Sequence, residues 1–367
     1  MDYFDYRSGA EPTSFSPIFF RIKNREEADA FNLAVSDPDL QILDTLQRQL
    51  KELLITRNPS ISLSEEEMAS AVTTHLNGLG IHEYGVWVLY PWCKRLVHIL
   101  DEQEFAELRT SRNKYKITAA EQATLGEKRV GIVGLSVGSA IAITMAMERS
   151  FGSLVLADFD TLDLSNLNRL RARISDIGLN KAVLVAREIA EMDPFLKVEV
   201  LEEGITDQNL EAFLTEKGGL DLLIDECDSL EYKLKLRLAA KKHRVPVVME
   251  TSDRGMLDIE RFDLNADLPL FHGRIAGFDL SNPGAIPPEM RMQLLMAIVG
   301  FNEVSERLRT SYVEIGKSLK TWPQLASAVM MGGGTTAEIA RRILLGEQVS
   351  SGRFYVDMNA IVPNLLA

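Results

Sequence analysis

From Lys128 onward the chain alternates short apolar runs with longer amphipathic stretches, and this alternation restricts the possible folds strongly. Five apolar runs are predicted to be buried strands: RVGIVGL, SLVLADF, LKVEVLEE, LDLLIDEC and VPVVMETS. Three stretches between them are predicted to be helices: SAIAITMAMERS, NKAVLVAREIAEM and LEYKLKLRLAAKKH. Because parallel strands need long crossover connections, the pattern predicts an α/β fold with a mostly parallel sheet and helices on both faces.

The first hundred residues follow a different pattern. SPIFFRI (16–22) is predicted to be a strand, and residues 39–56 place apolar side chains at helical spacing. A second helix is predicted to start after Ser64, because Glu67 three residues later completes a capping box. Residues 85–100 predict a β-hairpin. Helices followed by a hairpin resemble a winged-helix arrangement.

With 367 residues, the chain is long enough for two domains. We predict a smaller N-terminal α+β domain over residues 1–105 and an α/β domain over residues 106–367. The formal net charge of −13 repels phosphate backbones, and no extended basic stripe compensates for it, so nucleic-acid binding is not expected. For the N-terminal domain we therefore predict peptide binding or assembly, with a purely structural cap as the alternative.

Cysteine usage and hydropathy indicate the compartment. The chain contains two cysteines and no CxxC pair, which argues against a disulfide framework and against a structural zinc site. The N-terminus has no basic stretch followed by an apolar one, and no apolar run reaches the length that crosses a bilayer. The sequence predicts a cytoplasmic protein without membrane contacts.

The first predicted strand of the α/β region runs into the glycine-containing loop GLSVGS (134–139). Gly134 permits a tight turn, Gly138 permits close approach of a ligand, and the N–H groups at the following helix start can hold phosphate. The second strand ends in Asp158, 24 residues after Gly134, and an acidic residue there suits the ribose hydroxyls of an adenine nucleotide. These features alone fit an NAD-dependent dehydrogenase equally well.

Two cationic residues beyond the second strand favour a triphosphate over a dinucleotide. Arg169 and Lys181 follow Asp158, and a triphosphate of about −4 charge needs such neutralisation. Asn166 can hydrogen-bond the phosphates. The strand LDLLIDEC is followed by Asp228, and a carboxylate at a strand end is a suitable Mg²⁺ ligand.

These segments resemble a known family. DFDTLDLSNLNR (158–169) followed by DIGLNKA (176–182) is similar to the DxDxVxxSNLxRQ…DIGxxKA signature of the E1-like, or ubiquitin-activating-like, superfamily, including its bacterial ThiF/MoeB type. RTSRN (109–113) resembles the RYSRQ element that precedes the sheet in that family. TWPQLASAVMMGGGTTAEIARRILLGE resembles its closing helix. The resemblance covers roughly residues 106–367.

The resemblance implies a Rossmann-like sheet, ATP and Mg²⁺ as cofactors, and a homodimer. It implies nucleotide binding by Gly134, Ser136, Gly138, Asp158, Asp160, Asn166, Arg169 and Lys181. It implies that Asp228 binds Mg²⁺ and that Arg112 enters the nucleotide site of a partner subunit. Arg112, Arg169, Lys181 and Asp228 are then the residues that promote the reaction.

The implied reaction is adenylylation of a carboxylate on a small molecule or a peptide. The carboxylate attacks the α-phosphorus, the cations stabilise the developing charge, and pyrophosphate leaves. The zinc-binding CxxC pairs of sulfur-carrier activators are absent, so no zinc is expected. Cys227 lies beside Asp228, where it is badly placed to attack an adenylate, and we predict direct transfer to a non-cysteine nucleophile.

Alternatives remain at this point. The chain can be an NAD-dependent oxidoreductase, although that leaves Arg169 and Asp228 unexplained. It can also be a non-catalytic adaptor that binds nucleotide and recruits a partner. Arg254, in the polar loop after VPVVMETS, is predicted either to bind a substrate carboxylate or to serve the structure of its loop.

Overall fold

In a computed structural model of the chain, residues 13–23 and 25–363 are described. The strands, in chain order, are β1 (Ile18–Phe20), β2 (Gln41–Asp44), β3 (Val86–Tyr90), β4 (Arg95–Ile99), β5 (Arg129–Val133), β6 (Ser153–Ala157), β7 (Lys197–Leu201), β8 (Leu222–Asp225), β9 (Val247–Thr251), β10 (Met256–Glu260) and β11 (Gly352–Tyr355). The helices are α1 (Arg25–Val35), α2 (Leu46–Arg57), α3 (Glu65–Leu76), α4 (Glu102–Arg109), α5 (Ala119–Leu125), α6 (Gly138–Glu148), α7 (Lys181–Met192), α8 (Leu210–Thr215), α9 (Leu230–Lys242), α10 (Pro288–Val299), α11 (Glu306–Tyr312), α12 (Ala326–Leu344) and α13 (Met358–Ile361).

The chain divides into two compact units. The first comprises residues up to Ala119 together with Ile189–Phe195, and the second comprises Ala120–Glu188 and the chain from Leu196 onward. The helix α4 therefore belongs to the first unit. The functional domains predicted over residues 1–105 and 106–367 stay a prediction.

The first unit is built on a four-stranded sheet with the order β1-β3-β4-β2. The predicted hairpin is confirmed, because β3 and β4 pair antiparallel, and the connection between them ends at Lys94 with a positive φ of 50°. The predicted capping box is also confirmed, because the Ser64 and Glu67 side chains each accept a hydrogen bond from the other residue's backbone N–H. Leu46 packs with other apolar residues of α2 and α3 into a separate small core.

The predicted helix over residues 39–56 is wrong in its first part, because residues 41–44 form β2. This strand pairs in parallel with β4, and Ile42 and Leu43 remain 46% and 39% exposed. The helix starts only at Leu46, from which the helical spacing produces a buried stripe that includes Leu50. The strand depends on pairing with residues about fifty positions later in the chain, which a local pattern cannot show.

The second unit contains a seven-stranded sheet with the order β11-β10-β9-β8-β5-β6-β7. The five strands from β9 to β7 are parallel, whereas β10 and β11 are antiparallel additions at one edge. The predicted Rossmann-like, mostly parallel sheet is confirmed. The chain proceeds from β5 toward β7 and then returns to the other side of β5 with β8. A sheet of this kind binds ligands beyond the carboxyl ends of the strands at that reversal.

Helices α6 and α12 pack closely in the second unit, and the contact depends on glycine. A Cβ placed on Gly333 would lie 2.8 Å from the Cβ of Ala140 and 3.0 Å from its carbonyl carbon. Neither atom can move without shifting α6, whose first half is buried. A bare backbone at position 333 therefore sets how closely the two helices approach.

We expect Gly333→Ala to lower the free energy of unfolding by about 1–3 kcal/mol, because the added methyl group overpacks this contact. The neighbouring Gly334→Ala is the matched control, since Gly334 is exposed and a Cβ there meets no atom within 4 Å. That substitution should stabilise the protein by about 0.5–1 kcal/mol through helix propensity. Urea unfolding of both variants measures the difference, and equal midpoints would contradict the close helix contact.

Among the described residues, no helix combines the length and the apolarity that crossing a bilayer requires.

Candidate nucleotide-binding site

The glycine-containing loop lies between the carboxyl ends of β5 and β8. Gly134 has a φ of +87°, and a Cβ there would lie 2.3 Å from the carbonyl oxygen of Glu226, directly after β8. Gly138 begins α6, and a Cβ on it would lie 2.8 Å from the Ile132 side chain. Both glycines are thus required by close packing, and α6 starts immediately beyond this turn.

Asp158 connects the loop to the end of β6. Its two carboxylate oxygens accept hydrogen bonds from the backbone N–H groups of Leu135 (2.6 Å) and Asp160 (2.8 Å), and the residue is 7% exposed. Burial raises the pKa of Asp158, whereas the two N–H donors and the positive charge of Lys181 act in the opposite direction. In this structure the carboxylate holds the loop in place, and its contact with a ribose stays a prediction.

Lys181 is the first residue of α7 and is 6% exposed. Its Nζ lies 2.7 Å from Oδ2 of Asp160. Asn180 caps the helix, because its Oδ1 accepts the N–H of Ala182 at 2.8 Å while its Nδ2 donates to the carbonyl oxygen of Asp158. The DIGLNKA segment is therefore joined to Asp158 and Asp160 at the end of β6.

Arg169 carries a positive charge that is only partly compensated. Its Nε donates to Oγ of Ser136 (3.0 Å), and its Nη1 donates to Oδ1 of Asn168 (2.9 Å). Both acceptors are neutral, and no carboxylate of the described chain lies within ion-pair distance of Arg169. Burial lowers the pKa of the guanidinium, and the more distant charge of Asp228 opposes that shift. A half-buried cation with neutral partners, beside a loop at a helix start, suits an anion.

Asp228 fits a magnesium ion only together with phosphate oxygens. It is exposed just beyond β8. The described part of the chain has no group of three or more acidic, histidine or cysteine side chains that could hold a metal on its own. Magnesium bound with a nucleotide needs one or two protein carboxylates, so the residues present are compatible with it.

Two further predicted residues occupy separate positions. Oδ1 of Asn166 accepts the backbone N–H of Asp163 at 3.0 Å and caps a short 3-10 helix, Leu164–Asn168. Arg112 is exposed in another 3-10 turn and belongs to the first unit. The structure thus brings the predicted residues of the second unit to one edge of its sheet, while the role of Arg112 stays a prediction.

Gln324 contacts the site, although the sequence does not indicate it. Oγ of Ser136 donates to Oε1 of Gln324 (3.3 Å), and Nδ2 of Asn168 donates to the Gln324 carbonyl oxygen (2.8 Å). The segment before α12 therefore lies against the glycine-containing loop. The two partners are more than 150 positions from Gln324, and no local motif reports such a contact.

Of the two roles considered for Arg254, the structure supports the structural one. Nε lies 2.7 Å from Oδ2 of Asp357, and Nη1 donates to the carbonyl oxygen of Glu303 at 2.5 Å. The guanidinium also stacks on the ring of Tyr355, 4.9 Å from its centre. With these partners, Arg254 holds its own loop against the segment that contains Tyr355 and Asp357, and its charge is not available to a substrate carboxylate.

Two buried acids at the ends of β8 and β9 were not predicted from the sequence. Oε1 of Glu226 accepts the backbone N–H of Glu250 at 2.8 Å. Glu250 is 2% exposed, and neither of its carboxylate oxygens has a hydrogen-bond partner among the described residues. Burial raises the pKa of Glu250 to about 8, and burial together with the nearby Glu250 raises the pKa of Glu226. A charged residue inside the apolar run VPVVMETS was the only available signal.

The raised pKa of Glu250 has a measurable consequence. Between pH about 4.5 and about 8 the folded protein retains a proton that the unfolded chain releases, so the free energy of unfolding should fall as the pH rises through this interval. Glu250→Gln removes the titrating group, so its free energy of unfolding should not fall over this pH interval. At a pH of about 8 the variant should be more stable than the wild type by a few kcal/mol. Urea unfolding across the interval measures the effect, and parallel stability curves would contradict it.

Comparison with known proteins identifies the family of this chain. The sequence profile of the ThiF family matches residues 110–356. The chain is 40% identical over 333 residues to the uncharacterized protein MT1398 of Mycobacterium tuberculosis (strain CDC 1551 / Oshkosh), which covers 90% of this chain and 44% of that protein. It is 32% identical over 164 residues to the tRNA threonylcarbamoyladenosine dehydratase of Bacillus subtilis (strain 168), with 44% of this chain and 63% of that enzyme covered. The chain therefore spans about half the length of the mycobacterial protein and less than two thirds of the length of the Bacillus enzyme.

Among solved structures, the chain is similar to a crystal structure of E. coli MccB with ATP, at 13% identity and a TM-score of 0.49, covering 85% of this chain and 84% of that one. The family assignment depends on the profile and the sequence relatives, because the profile alone covers well over half of the chain. This protein belongs to the ThiF family of E1-like proteins.

Proposed function

We propose that this protein binds ATP with Mg²⁺ and adenylylates a carboxylate on a small molecule or a peptide, releasing pyrophosphate. One observation carries the proposal. The half-buried guanidinium of Arg169 has only neutral hydrogen-bond partners and lies against Ser136 in the glycine-containing loop. An anion at this loop would supply the missing negative charge, and a triphosphate is the anion that suits the start of α6.

The chain's own residues can perform the binding and the charge stabilisation. Arg169 reaches the loop through its contact with Ser136, and the N–H groups at the start of α6 add further donors. Lys181 is held by Asp160, which keeps its ammonium group positioned at the end of β6. Donors fixed before the reaction stabilise negative charge that develops on the phosphates without having to reorganise. Magnesium bound with the nucleotide, with Asp228 as its protein ligand, would supply further positive charge to the phosphate oxygens.

Transfer to a nucleophile other than cysteine is part of the proposal. Burial raises the pKa of the Cys227 thiol, and the positive charge of Lys233 opposes this only in part. The Sγ atom lies 3.7 Å from the carbonyl oxygen of Ser229. A thiol held protonated is a poor nucleophile, so Cys227 is unsuited to form a thioester from the adenylate.

We further propose that the enzyme works in the cytoplasm as a homodimer in which Arg112 enters the nucleotide site of the partner subunit. The exposure of Arg112 in a short turn supports this role, because its side chain is accessible to a second copy. The domain predicted over residues 1–105 would then serve peptide binding or assembly.

Calorimetry with ATP, AMP and NAD in the presence of Mg²⁺ tests the nucleotide preference, and pyrophosphate release with a panel of carboxylic acids, amino acids and peptides tests the reaction. We expect ATP to bind at least about tenfold more tightly than NAD, because NAD lacks the third phosphate that Arg169 and Lys181 would neutralise. A preference for NAD would contradict the proposal. Binding of ATP without pyrophosphate release for any acid would favour the non-catalytic adaptor.

A further inference from the structure

The carboxyl ends of β8 and β9 carry more carboxyl groups than the neighbouring cations can pair with. Asp225 at the end of β8 is paired with Arg237 and with Lys233, whose Nζ lies 3.2 Å from Oδ1 of Asp225. Nε of Arg237 also lies 2.7 Å from Oε2 of Glu260. Two cations therefore balance two carboxylates, and this buried network is neutral.

Glu226 and Glu250 lie outside this balance. Oε1 of Glu226 accepts only the backbone N–H of Glu250, and both side-chain oxygens of Glu250 are unpartnered within the described ranges. No lysine, arginine or histidine of the described chain forms an ion pair with either carboxyl group. A buried carboxyl group without a partner is unfavourable, so a protein that keeps Glu250 in this state beside a second carboxyl group has a reason beyond folding stability.

The position of the pair connects it with the proposed reaction. The carbonyl oxygen of Glu226 lies against Gly134. The Cγ atom of the Glu226 side chain would lie 3.7 Å from a Cβ placed on Gly138. The Glu250 carboxyl group lies against α12, where a Cβ on Gly332 would come within 2.3 Å of it. Glu226 is therefore the member of the pair that lies beside the glycine-containing loop, and Glu250 is the member that lies beside α12.

We propose that Glu226 and Glu250 form a subsite for a positively charged nitrogen group of the substrate, an ammonium or a guanidinium. The inference rests on the proposed function, and it narrows the substrate to a carboxylic acid that also carries an amine or a guanidine. A cation between the two carboxyl groups satisfies the unpartnered oxygens of Glu250 and compensates both charges through charge-assisted hydrogen bonds. Its binding would orient the carboxylate of the same molecule beside the loop that holds the nucleotide.

The subsite can be tested with methylammonium and guanidinium ions, before the substrate is known. Calorimetry with the whole 367-residue chain, at constant ionic strength and at a pH above about 8, should show methylammonium binding with a Kd of about 1–10 mM. Glu250→Gln and Glu226→Gln should each weaken this binding about tenfold. Glu202→Gln is the matched control, because Glu202 follows β7 at the same edge of the sheet and should leave binding unchanged. Circular dichroism confirms that each variant folds. If Glu250→Gln does not fold, Glu226→Gln, at the half-buried position, still tests the subsite.

Absence of binding to the wild type, or equal binding by all four proteins, would overturn the subsite. A second measurement separates this result from the proposed function: pyrophosphate exchange with 4-aminobutanoate, 4-guanidinobutanoate and pentanoate. We expect the cationic acids to be favoured about tenfold, and Glu250→Gln should remove the preference. Exchange that is equal for all three acids would contradict the subsite while supporting adenylylation. Cation binding that depends on Glu250, without exchange for any acid, would support the subsite and count against adenylylation.

Discussion

Replacing Arg169 with alanine is expected to lower ATP-dependent pyrophosphate release by about 100-fold or more, since charge-assisted contacts to reacting phosphates contribute about 3 kcal/mol or more. The effect should appear in ATP affinity as well, because the guanidinium would contact the phosphates before the reaction begins. The free energy of unfolding should change little, because Arg169 donates only to the neutral oxygens of Ser136 and Asn168. Calorimetry with ATP and a continuous pyrophosphate assay measure the two quantities.

Arg171→Ala is the matched control for this variant. Arg171 lies two positions further along and, unlike Arg169, its charge is paired with a carboxylate, that of Glu188 at 3.2 Å, in a half-exposed ion pair. Exposed pairs of this kind contribute less than about 1 kcal/mol, so this variant should retain both ATP binding and stability. If Arg169→Ala bound ATP as tightly as Arg171→Ala, the anion-binding role of Arg169 would be wrong, and the proposed function would lose its main support.

Replacing Arg237 with methionine should lower the free energy of unfolding by about 3–5 kcal/mol, because it leaves the buried carboxylate of Glu260 without a cation and that of Asp225 with Lys233 alone. Arg237 is fully buried, and it bridges Asp225 and Glu260. Its guanidinium also stacks 4.1 Å above the ring of Phe271. Methionine keeps much of the volume but none of the hydrogen bonds, so the loss reports the electrostatic part of the network. The midpoint of urea unfolding measures it.

Arg342→Met provides the comparison for Arg237→Met, since Arg342 forms a partly exposed ion pair with Glu347 at 2.7 Å. We expect that variant to change the free energy of unfolding far less than Arg237→Met does, because solvent screens an exposed pair. Similar losses for the two variants would show that burial does not set the strength of the Arg237 network. Because Asp225 directly precedes Glu226 and lies close to Asp228, we also expect Arg237→Met to weaken ATP binding at temperatures where it remains folded.

Local patterns in the sequence were sufficient to predict the α/β unit and to place much of its candidate site at one edge of the sheet. Apolar runs separated by amphipathic helices specify parallel strands, because only a long crossover can join them. The carboxyl ends of such strands meet at one edge, so residues that follow different strands, such as Asp158 and Asp228, can be assigned to one site from the sequence alone. The SNLNR and DIGLNKA segments added the cations Arg169 and Lys181.

Other features depend on contacts between distant parts of the chain, and only the tertiary structure decided them. The strand β2 exists because it pairs with β4, although its residues have helical spacing. Gln324 reaches Ser136 only because the segment before α12 packs against the glycine-containing loop. The unpartnered carboxyl group of Glu250 emerges from the folded arrangement, in which nearby cations are engaged by Asp225 and Glu260. Sequence patterns mostly indicate the element to which a residue belongs. The partner of a side chain depends on tertiary packing, because a charged group pairs with the groups that the fold places near it.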